Sequence, residues 1–366
     1  MGANTVFDHF GGRQRRLRRS LGEQDLSLLV VTNPVNLYYL TGFRGSAGVA
    51  VFALEEALLW VDPRYTLQAQ EQARGVKVIE ARKGLLKAVA AWLRSQGRRR
   101  AGYEDTHLTC AQFRELKNEE SGGVRFQSAG GMVEELRLLK DQSEIALIRE
   151  AGRITARVFA ELLPQVRPGT RESDLEAEIE YRMRCHGAEG AAFESIVASG
   201  PRSAFPHARA SRKLLAKCEL VILDLGAILG GYAADMTRTV YLGRPTARVK
   251  RLYSAVLAAQ QQAWEAIHDG CRASSVDEAA RRVLGRRGLA KYFTHSTGHG
   301  VGLEVHEKPR LGRGEKTILK TGCIVTVEPG IYLKGFGGIR IEDTVVVGER
   351  AAEILTPAPK DSWFIC

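Results

Sequence analysis

The first third of the chain alternates short apolar runs with stretches in which apolar residues recur every three or four positions. Short apolar runs bounded by turn residues predict strands, and the longer spacing predicts amphipathic helices. This alternation is typical of an α/β domain. Gly130 and Gly131 close a turn-rich stretch, so we expect the N-terminal domain to span residues 1–131. The predicted strands are 27–33, 48–53, 56–62 and 76–80, and the predicted helices are 64–74 and 83–96.

Beyond residue 131 the pattern changes to long helices and strand-rich blocks. Asp141 followed by Glu144 resembles a capping box at the start of a long helix. Gly230 and Gly231 predict a hairpin turn between two apolar segments. Residues 132–366 are therefore expected to form an α+β domain with antiparallel pairing, unlike a dinucleotide-binding fold. Further helices are predicted from Ser173, at about 246–268 and at about 275–285, and strands at 219–226, 231–241, 323–328 and 338–348.

Size and composition fit a two-domain globular protein. The chain has 366 residues, of which 44% are hydrophobic and 26% charged. Its apolar runs are far shorter than the roughly 20 residues of a membrane span, and residues 1–19 do not resemble a secretion signal. The six cysteines are scattered and form no C-x-x-C pair, which indicates reduced thiols rather than disulfides or a zinc knuckle. We expect a cytoplasmic protein that does not enter the membrane.

The formal net charge of +11 raises the question of a nucleic-acid partner. Much of the excess is arginine at 13–19 and 98–100, without the interleaved aromatic residues of a base-stacking surface. Solvated basic faces explain such runs without a ligand. We therefore expect no nucleic-acid partner.

Acidic residues interrupt apolar strands at several points. Asp224, Glu328 and Glu342 lie within or at the end of such segments, and Asp235 lies across the predicted hairpin from Asp224. A lone ionised carboxylate there would cost several kcal/mol. Any one of them alone fits a turn or a salt bridge, but Arg340 is the one obvious cation on these strands. Four such acids together indicate two divalent cations, with manganese preferred and cobalt or zinc as alternatives.

Three of the eight histidines lie in one glycine-rich segment, 294–307. Glycine lets the backbone approach a ligand closely. This segment is not the helical H-E-x-x-H zinc motif, because Ser296 stands where that motif has glutamate. A further histidine, His207, ends a loop with two prolines and taken alone would be an ordinary loop residue. The histidines of the segment are His295, His299 and His306.

Together these residues resemble the creatinase-like or pita-bread metallopeptidases, in particular the branch of Xaa-Pro aminopeptidases and prolidases. The resemblance spans nearly the whole chain, from 33–43 and 61–65 to every C-terminal motif above. It implies an α+β pita-bread catalytic domain preceded by a smaller α/β domain. It also implies a homodimer that hydrolyses proline-containing peptides.

The resemblance implies a role for each site residue. Five residues correspond to the family's metal ligands, and two of them, Asp235 and Glu342, would bridge both ions. Glu328 would also accept a proton from the attacking water. The implied ligands are Asp224, Asp235, His299, Glu328 and Glu342. The implied residues around the substrate are His207 and His306 at the carbonyl, His295 as a positioning histidine, and Arg340 and Tyr332 outside the ligands.

Peptide length preference is open at this point. Arg310 resembles the residue with which small microbial prolidases bind the free carboxylate of a dipeptide. The segment 41–48 instead resembles small bacterial Xaa-Pro aminopeptidases. We favour an Xaa-Pro aminopeptidase, with a dipeptidase as the alternative. The same fold also occurs in proteins without metals, so a binding module is a more distant alternative.

Overall fold

The computed structural model describes residues 8–97, 99–117, 123–361 and 363–365. The chain divides into two compact units, Met1–Arg137 and Leu138–Cys366. The domain boundary expected after residue 131 stays a prediction, and a short helix (Met132–Arg137) lies between it and this division. In the described part of the chain, no helix combines the length and apolarity that crossing a bilayer requires.

The N-terminal unit is built on a mixed sheet. Its elements are α1 (Asp8–Glu23), β1 (Leu28–Val31), α2 (Pro34–Thr41), β2 (Gly48–Ala53), β3 (Ala57–Val61), α3 (Thr66–Gln72), β4 (Lys77–Glu80), α4 (Leu85–Ser95), β5 (Arg100–Tyr103), α5 (Cys110–Leu116), β6 (Arg125–Ser128) and α6 (Met132–Arg137). The strand order is β4-β3-β2-β1-β5-β6. On each side of the β1–β2–β3 meander the outermost pair of strands is parallel, namely β3–β4 on one side and β5–β6 on the other. This confirms the predicted α/β class, while β5 and β6 lie beyond the strands that the pattern predicted.

In the described part of the C-terminal unit, four α-helices flank the sheets: α7 (Gln142–Leu162), α8 (Glu172–Cys185), α9 (Ala247–Glu265) and α10 (Ala273–Arg286). The predicted capping box is present, because the Asp141 side chain accepts from the Glu144 backbone N–H while the Glu144 side chain accepts from the Asp141 N–H. The predicted start of α8 was wrong. Its N-cap is Arg171 rather than Ser173, and the cap makes no side-chain hydrogen bond.

The strands of this unit form several small sheets. They are β7 (Gly190–Ala191), β8 (Ile196–Ser199), β9 (Leu220–Leu225), β10 (Ala227–Leu229), β11 (Tyr232–Ala233), β12 (Met236–Leu242), β13 (Gly298–Gly300), β14 (Glu307–Leu311), β15 (Ile324–Val327), β16 (Gly330–Leu333), β17 (Gly337–Arg340), β18 (Asp343–Val347), β19 (Ala352–Ile354) and β20 (Phe364–Ile365). Among the described residues the sheet orders are β20-β12-β9-β8, β11-β10-β7, β14-β13-β15-β18-β19 and β16-β17.

Most of the pairing in these sheets is antiparallel, as predicted. Gly230 and Gly231 both have positive φ and join β10 to β11. Such a pair suits a tight hairpin, because glycine adopts that backbone without a steric cost. The predicted block 338–348 is two strands, because the chain leaves β17 before Glu342 and enters a different sheet at β18.

Two apolar clusters position the acidic residues. Leu223 and Leu225 of β9 belong to the cluster beneath α7 and α8, and Val325 and Val327 of β15 belong to the cluster beneath α9 and α10. Successive residues of a strand point to opposite faces. The residue between the two leucines, Asp224, is therefore directed away from the helices. The fold thus buries one face of each strand against helices and leaves the other for polar side chains.

Candidate metal centre and active site

A cavity of about 600 Å³ opens on the polar side of these strands. Ten of the eleven residues predicted from the sequence line it, and the eleventh, Tyr332, contacts two of them through its hydroxyl. The lining residues are His207, Asp224, Asp235, His295, His299, His306, Arg310, Glu328, Arg340 and Glu342.

Strand pairing brings the acids together from distant parts of the chain. Asp224 lies in β9, directly opposite Thr237 of β12. Asp235 lies between β11 and β12, where its backbone N–H and C=O both bond to the Thr344 hydroxyl. Glu328 follows β15, and its N–H donates to the Thr297 carbonyl over 2.7 Å. The backbone of each acid is therefore fixed by a strand or by a hydrogen bond close to it.

Asp235, His299 and Glu342 form the tightest group, with one ligand atom from each within 4.8 Å of the others. His299 Nε2 lies 3.7 Å from Asp235 Oδ2 and 3.5 Å from Glu328 Oε1. His299 Nδ1 bonds to the Gly300 carbonyl oxygen over 3.0 Å. Because a carbonyl only accepts, Nδ1 carries the proton and Nε2 presents its lone pair to the acids.

The electrostatics of the group favour a bound cation. Burial, reinforced by the neighbouring carboxylates, raises the pKa of Asp235 and of Glu342 well above the usual range. Burial also raises the pKa of Glu328 and lowers that of His299. Among the described residues, Asp224 Oδ1 and Asp235 Oδ1 are buried side-chain atoms with no hydrogen-bond partner. Oxygen atoms that lack a donor, beside an imidazole lone pair, fit the needs of a divalent cation.

Arg340 places a positive charge directly against the acid cluster. Its Nη2 lies 2.6 Å from Asp224 Oδ2, and its Nε donates to the Thr237 hydroxyl over 3.0 Å. The Thr237 hydroxyl in turn donates to Glu342 Oε2 over 2.6 Å. The Thr237 hydroxyl therefore orients the Glu342 carboxylate. One guanidinium beside four acids leaves a surplus of negative charge.

A second buried cation escaped the sequence analysis. Arg238, in β12, is 2% exposed, and its Nη2 lies 2.7 Å from Asp343 Oδ1. The expectation that Arg340 was the one obvious strand cation was therefore incomplete. Arg238 faces the opposite side of the strand from Thr237, because successive residues alternate, and it balances Asp343 rather than the site acids.

The histidines around the acids are held in different ways. His295 Nδ1 donates to the Ser296 carbonyl, so its Nε2 accepts from the Tyr332 hydroxyl over 2.9 Å. Burial lowers the pKa of His295 and of His306, which favours the neutral form of both rings. The His306 ring lies 4.2 Å from the His299 ring, centroid to centroid. His207 is exposed at the cavity wall.

Arg340, Tyr332 and His295 form one hydrogen-bonded chain. Arg340 Nη1 donates to the Tyr332 hydroxyl over 2.8 Å, and that hydroxyl donates to His295. Burial raises the pKa of Tyr332 to about 12, so its proton stays available for this bond. The chain connects the Asp224 ion pair to the histidine at the other side of the cavity.

The cavity wall also carries charged residues apart from the acid cluster, one predicted from the sequence and two that the sequence analysis missed. Arg310 is exposed on β14, in register with His299 of β13. Glu194 and Arg209 also line the cavity and form an ion pair at 3.2 Å. Both lie in loops without hydrophobic periodicity, so no pattern in the sequence distinguished them. The cavity wall therefore carries the charged groups Arg310, Arg209 and Glu194 in addition to the acid cluster.

Known proteins are similar to this chain over nearly their full length. An Xaa-Pro dipeptidase of Pyrococcus furiosus is 35% identical over 95% of this chain and 99% of its own. The solved structure of an Xaa-Pro dipeptidase from Bacillus anthracis is 36% identical, with a TM-score of 0.93 over 97% of this chain and 100% of its own. An X-Pro aminopeptidase from Thermotoga maritima is 35% identical, with a TM-score of 0.88 over 96% and 100%.

The family models divide the chain in the same order as its two units. Residues 13–139 match the creatinase/prolidase N-terminal domain. Residues 146–349, which carry the whole acid and histidine site, match metallopeptidase family M24. The predicted fold class, an α+β pita-bread domain after a smaller α/β domain, is confirmed. This chain is an enzyme that belongs to metallopeptidase family M24, with a creatinase/prolidase-type N-terminal domain.

Proposed function

We propose that the protein is a two-metal Xaa-Pro dipeptidase. The observation that carries the proposal is the buried acid cluster with partnerless oxygen atoms in the wall of a cavity that also contains Arg310. The dipeptidase relatives from Pyrococcus furiosus and Bacillus anthracis support this activity better than the aminopeptidase that we favoured from the sequence. The Thermotoga maritima relative keeps an aminopeptidase as the second candidate.

The metal ligands that we assign are those implied by the resemblance. The donor set of four carboxylates and one imidazole suits manganese first, and cobalt or zinc as alternatives. Bound there, two such ions would polarise the peptide carbonyl and lower the pKa of a water. The assigned ligands are Asp224, Asp235, His299, Glu328 and Glu342.

The protein's own groups then supply proton transfer and orientation. We assign Glu328 as the proton acceptor, because its carboxylate lies in the cavity wall beside the other acids and burial raises its pKa, which favours proton uptake. His207 and His306, both in the cavity wall, are assigned to the carbonyl oxygen. His295 is assigned to substrate positioning, since its ring is fixed by Tyr332. Arg340 holds Asp224 and Tyr332 in place.

Arg310 is the residue that we assign to peptide length. Its guanidinium is exposed at the cavity, and a guanidinium binds a carboxylate through two parallel hydrogen bonds. A dipeptide places its free carboxylate one residue after the scissile bond, whereas a tripeptide has an amide there. Arg310 thus favours dipeptides, because longer peptides have no free carboxylate at this position.

Two further assignments come from the sequence alone. A homodimeric active form is implied by the family resemblance, and light scattering on the purified protein tests it. A cytoplasmic location is expected from the scattered cysteines, of which Cys110, Cys185, Cys218, Cys271 and Cys323 are free thiols in the structure.

The test compares Ala-Pro with Ala-Pro-Ala, using metal-depleted protein reconstituted with Mn²⁺, Co²⁺ or Zn²⁺. Cleavage of Ala-Pro that depends on added metal is expected, and its absence with all three ions would overturn the proposal. Arg310→Ala should reduce kcat/KM for Ala-Pro by about 10- to 100-fold, the usual effect of losing a charge-assisted hydrogen bond. Arg313→Ala, an exposed arginine in the same part of the chain, is the matched control and should change little. Faster cleavage of Ala-Pro-Ala than of Ala-Pro would favour the aminopeptidase.

A further inference from the structure

Two loops that carry cavity histidines are each tied to a helix by one fully buried carboxylate. Glu172 of α8 and Asp277 of α10 are both 0% exposed, and neither lines the cavity. We propose that Glu172 is a positioning residue for His207 and that Asp277 is a positioning residue for His295. This inference rests on the proposed function.

Glu172 closes the base of the loop 199–211. Its Oε1 accepts from the Ser199 N–H at 2.8 Å and from the Ser199 hydroxyl at 2.7 Å. Its Oε2 accepts from Arg202 Nε at 3.0 Å and from the Ser211 N–H and hydroxyl at 3.1 and 2.6 Å. One carboxylate therefore holds both ends of the loop and one residue between them.

The other side of the loop is bonded to the strand that leads to Arg340. The Ser203 hydroxyl accepts from the Gly338 N–H at 2.8 Å, and Arg340 Nη1 donates to the Pro206 carbonyl at 3.2 Å. His207 follows Pro206 directly. The backbone that carries its ring is thus held by two groups of bonds, one at the base of the loop and one at the residue before His207.

Asp277 uses the same chemistry on the segment 293–297. Its Oδ1 accepts from the Thr297 N–H at 3.1 Å and from the Thr297 hydroxyl at 2.8 Å. Its Oδ2 lies 2.6 Å from Arg281 Nε, and Arg281 donates from Nη2 to the His295 carbonyl and from Nη1 to the Phe293 carbonyl. The backbone on both sides of the His295 ring is therefore tied to one carboxylate.

Each carboxylate is better suited to this task than a neutral side chain would be. An ionised carboxylate accepts at both oxygens, and its bonds to N–H donors are stronger than those between neutral groups. An amide presents an NH₂ group at one end, which faces donors at either site and forces the loop to move. Burying a charge is costly, so a fully satisfied buried carboxylate is typical of a position that must keep one geometry.

Crossed double-mutant cycles test the pairing. With Ala-Pro as substrate, Glu172→Gln should lower kcat/KM by about 10- to 100-fold, since a displacement of about 1 Å can cost that much. In a His207→Ala background the same change should cost less than about 2-fold, whereas in a His295→Ala background it should keep its full effect. Asp277→Asn should show the reverse pattern. Equal losses in both backgrounds would mean a general structural role and would overturn the proposal.

Controls and a second readout separate this proposal from the proposed function. Asp174→Asn on α8 and Glu278→Gln on α10, both exposed, should leave kcat/KM unchanged. In NMR spectra of ¹⁵N-histidine-labelled protein without substrate, Glu172→Gln should shift the ring signals of His207 and leave those of His295 unchanged. Asp277→Asn should shift the ring signals of His295 and leave those of His207 unchanged. If neither ring responds, the positioning roles are wrong even in an active enzyme. An inactive wild type with the expected ring shifts would refute only the proposed function.

Milder variants serve if the carboxylate variants fail to fold. Ser211→Ala and Thr297→Val each remove one hydroxyl donor, from the loop of His207 and the loop of His295 respectively. Each should show the same pairing in the crossed cycles with a smaller loss, and an absence of any pairing would overturn the proposal.

Discussion

Two threonines of β12 offer a sharp test of how the proposed metal ligands are held. Thr237 and Thr239 are both buried and both contact the chain around Arg340. The Thr237 hydroxyl donates to Glu342 Oε2 at 2.6 Å and accepts from Arg340 Nε at 3.0 Å. The Thr239 hydroxyl instead donates to the Arg340 carbonyl at 2.8 Å and accepts from the Arg340 N–H at 3.0 Å. One threonine orients Glu342, which we propose as a metal ligand, and the other orients only backbone.

Replacing either threonine by valine keeps the shape and removes the hydroxyl. A hydrogen bond to a charged group is worth about 2 kcal/mol, so Thr237→Val should weaken Mn²⁺ binding by about 30-fold. This agrees with the usual effect, about 10- to 100-fold, of losing the partner of a metal ligand. Thr239→Val should lower the free energy of unfolding by about 1 kcal/mol and change the affinity for Mn²⁺ by less than about 3-fold.

Competition with a coloured chelator measures the Mn²⁺ affinity, and urea denaturation of the metal-free protein measures stability. Unchanged Mn²⁺ affinity in Thr237→Val would refute the reasoning, because Glu342 would then keep its geometry without the hydroxyl. Equal losses of Mn²⁺ affinity in Thr237→Val and Thr239→Val would also refute the reasoning, because a hydroxyl that bonds the Glu342 side chain would then matter no more than one that bonds only backbone.

Three further outcomes are expected. Asp235→Ala should abolish metal binding and turnover together, measured by elemental analysis and the Ala-Pro assay, and full activity in metal-defined buffer would contradict its assignment. Lys140 and Glu307 form a buried ion pair at 3.1 Å, so Lys140→Met should lower the free energy of unfolding by about 3–5 kcal/mol in urea denaturation. The double variant Lys140→Met/Glu307→Gln should recover stability, because it leaves no unpaired buried charge. A loss below about 1 kcal/mol in Lys140→Met would show that water replaces the lysine. The pKa of Glu161 is lowered to about 2, chiefly by a hydrogen bond from His186. Its contribution to stability is therefore present above the unfolded pKa near 4.5 and is lost as the pH falls toward 2. Glu161→Gln should make the free energy of unfolding fall less steeply with acid, most visibly at low salt, and an unchanged dependence on pH would exclude the interaction.

The acid cluster could be predicted from the sequence because its signal is local. An acid inside a strand such as β9 or at the end of β15 is unusual whatever the rest of the fold does. The long helix after Asp141 was equally local, since the capping box and the helical spacing lie within one segment. These features needed no knowledge of which strands are neighbours.

The groups that orient the site could not be predicted in the same way. Glu172 and Asp277 lie on amphipathic helices, where an acid ordinarily faces solvent, and only the loops packed over them make them buried. Arg238 and Arg340 are both arginines in apolar strands, yet one serves Asp343 and the other Asp224. That difference depends on strand register and on which sheet each strand joins, which one sequence does not contain.

The change of sheet between β17 and β18 has a consequence for how this protein can vary. Glu342 faces the cavity, while the next residue, Asp343, bonds to Arg238 and Gln260 on the far side. Inserting or deleting one residue here would turn these acids to the opposite sides of the strand, so that the cavity and Arg238 could no longer each keep their own carboxylate. Insertions and deletions should therefore be absent from 340–343 in related proteins. They should be tolerated at the exposed turn 349–351, which can gain or lose residues without disturbing either acid.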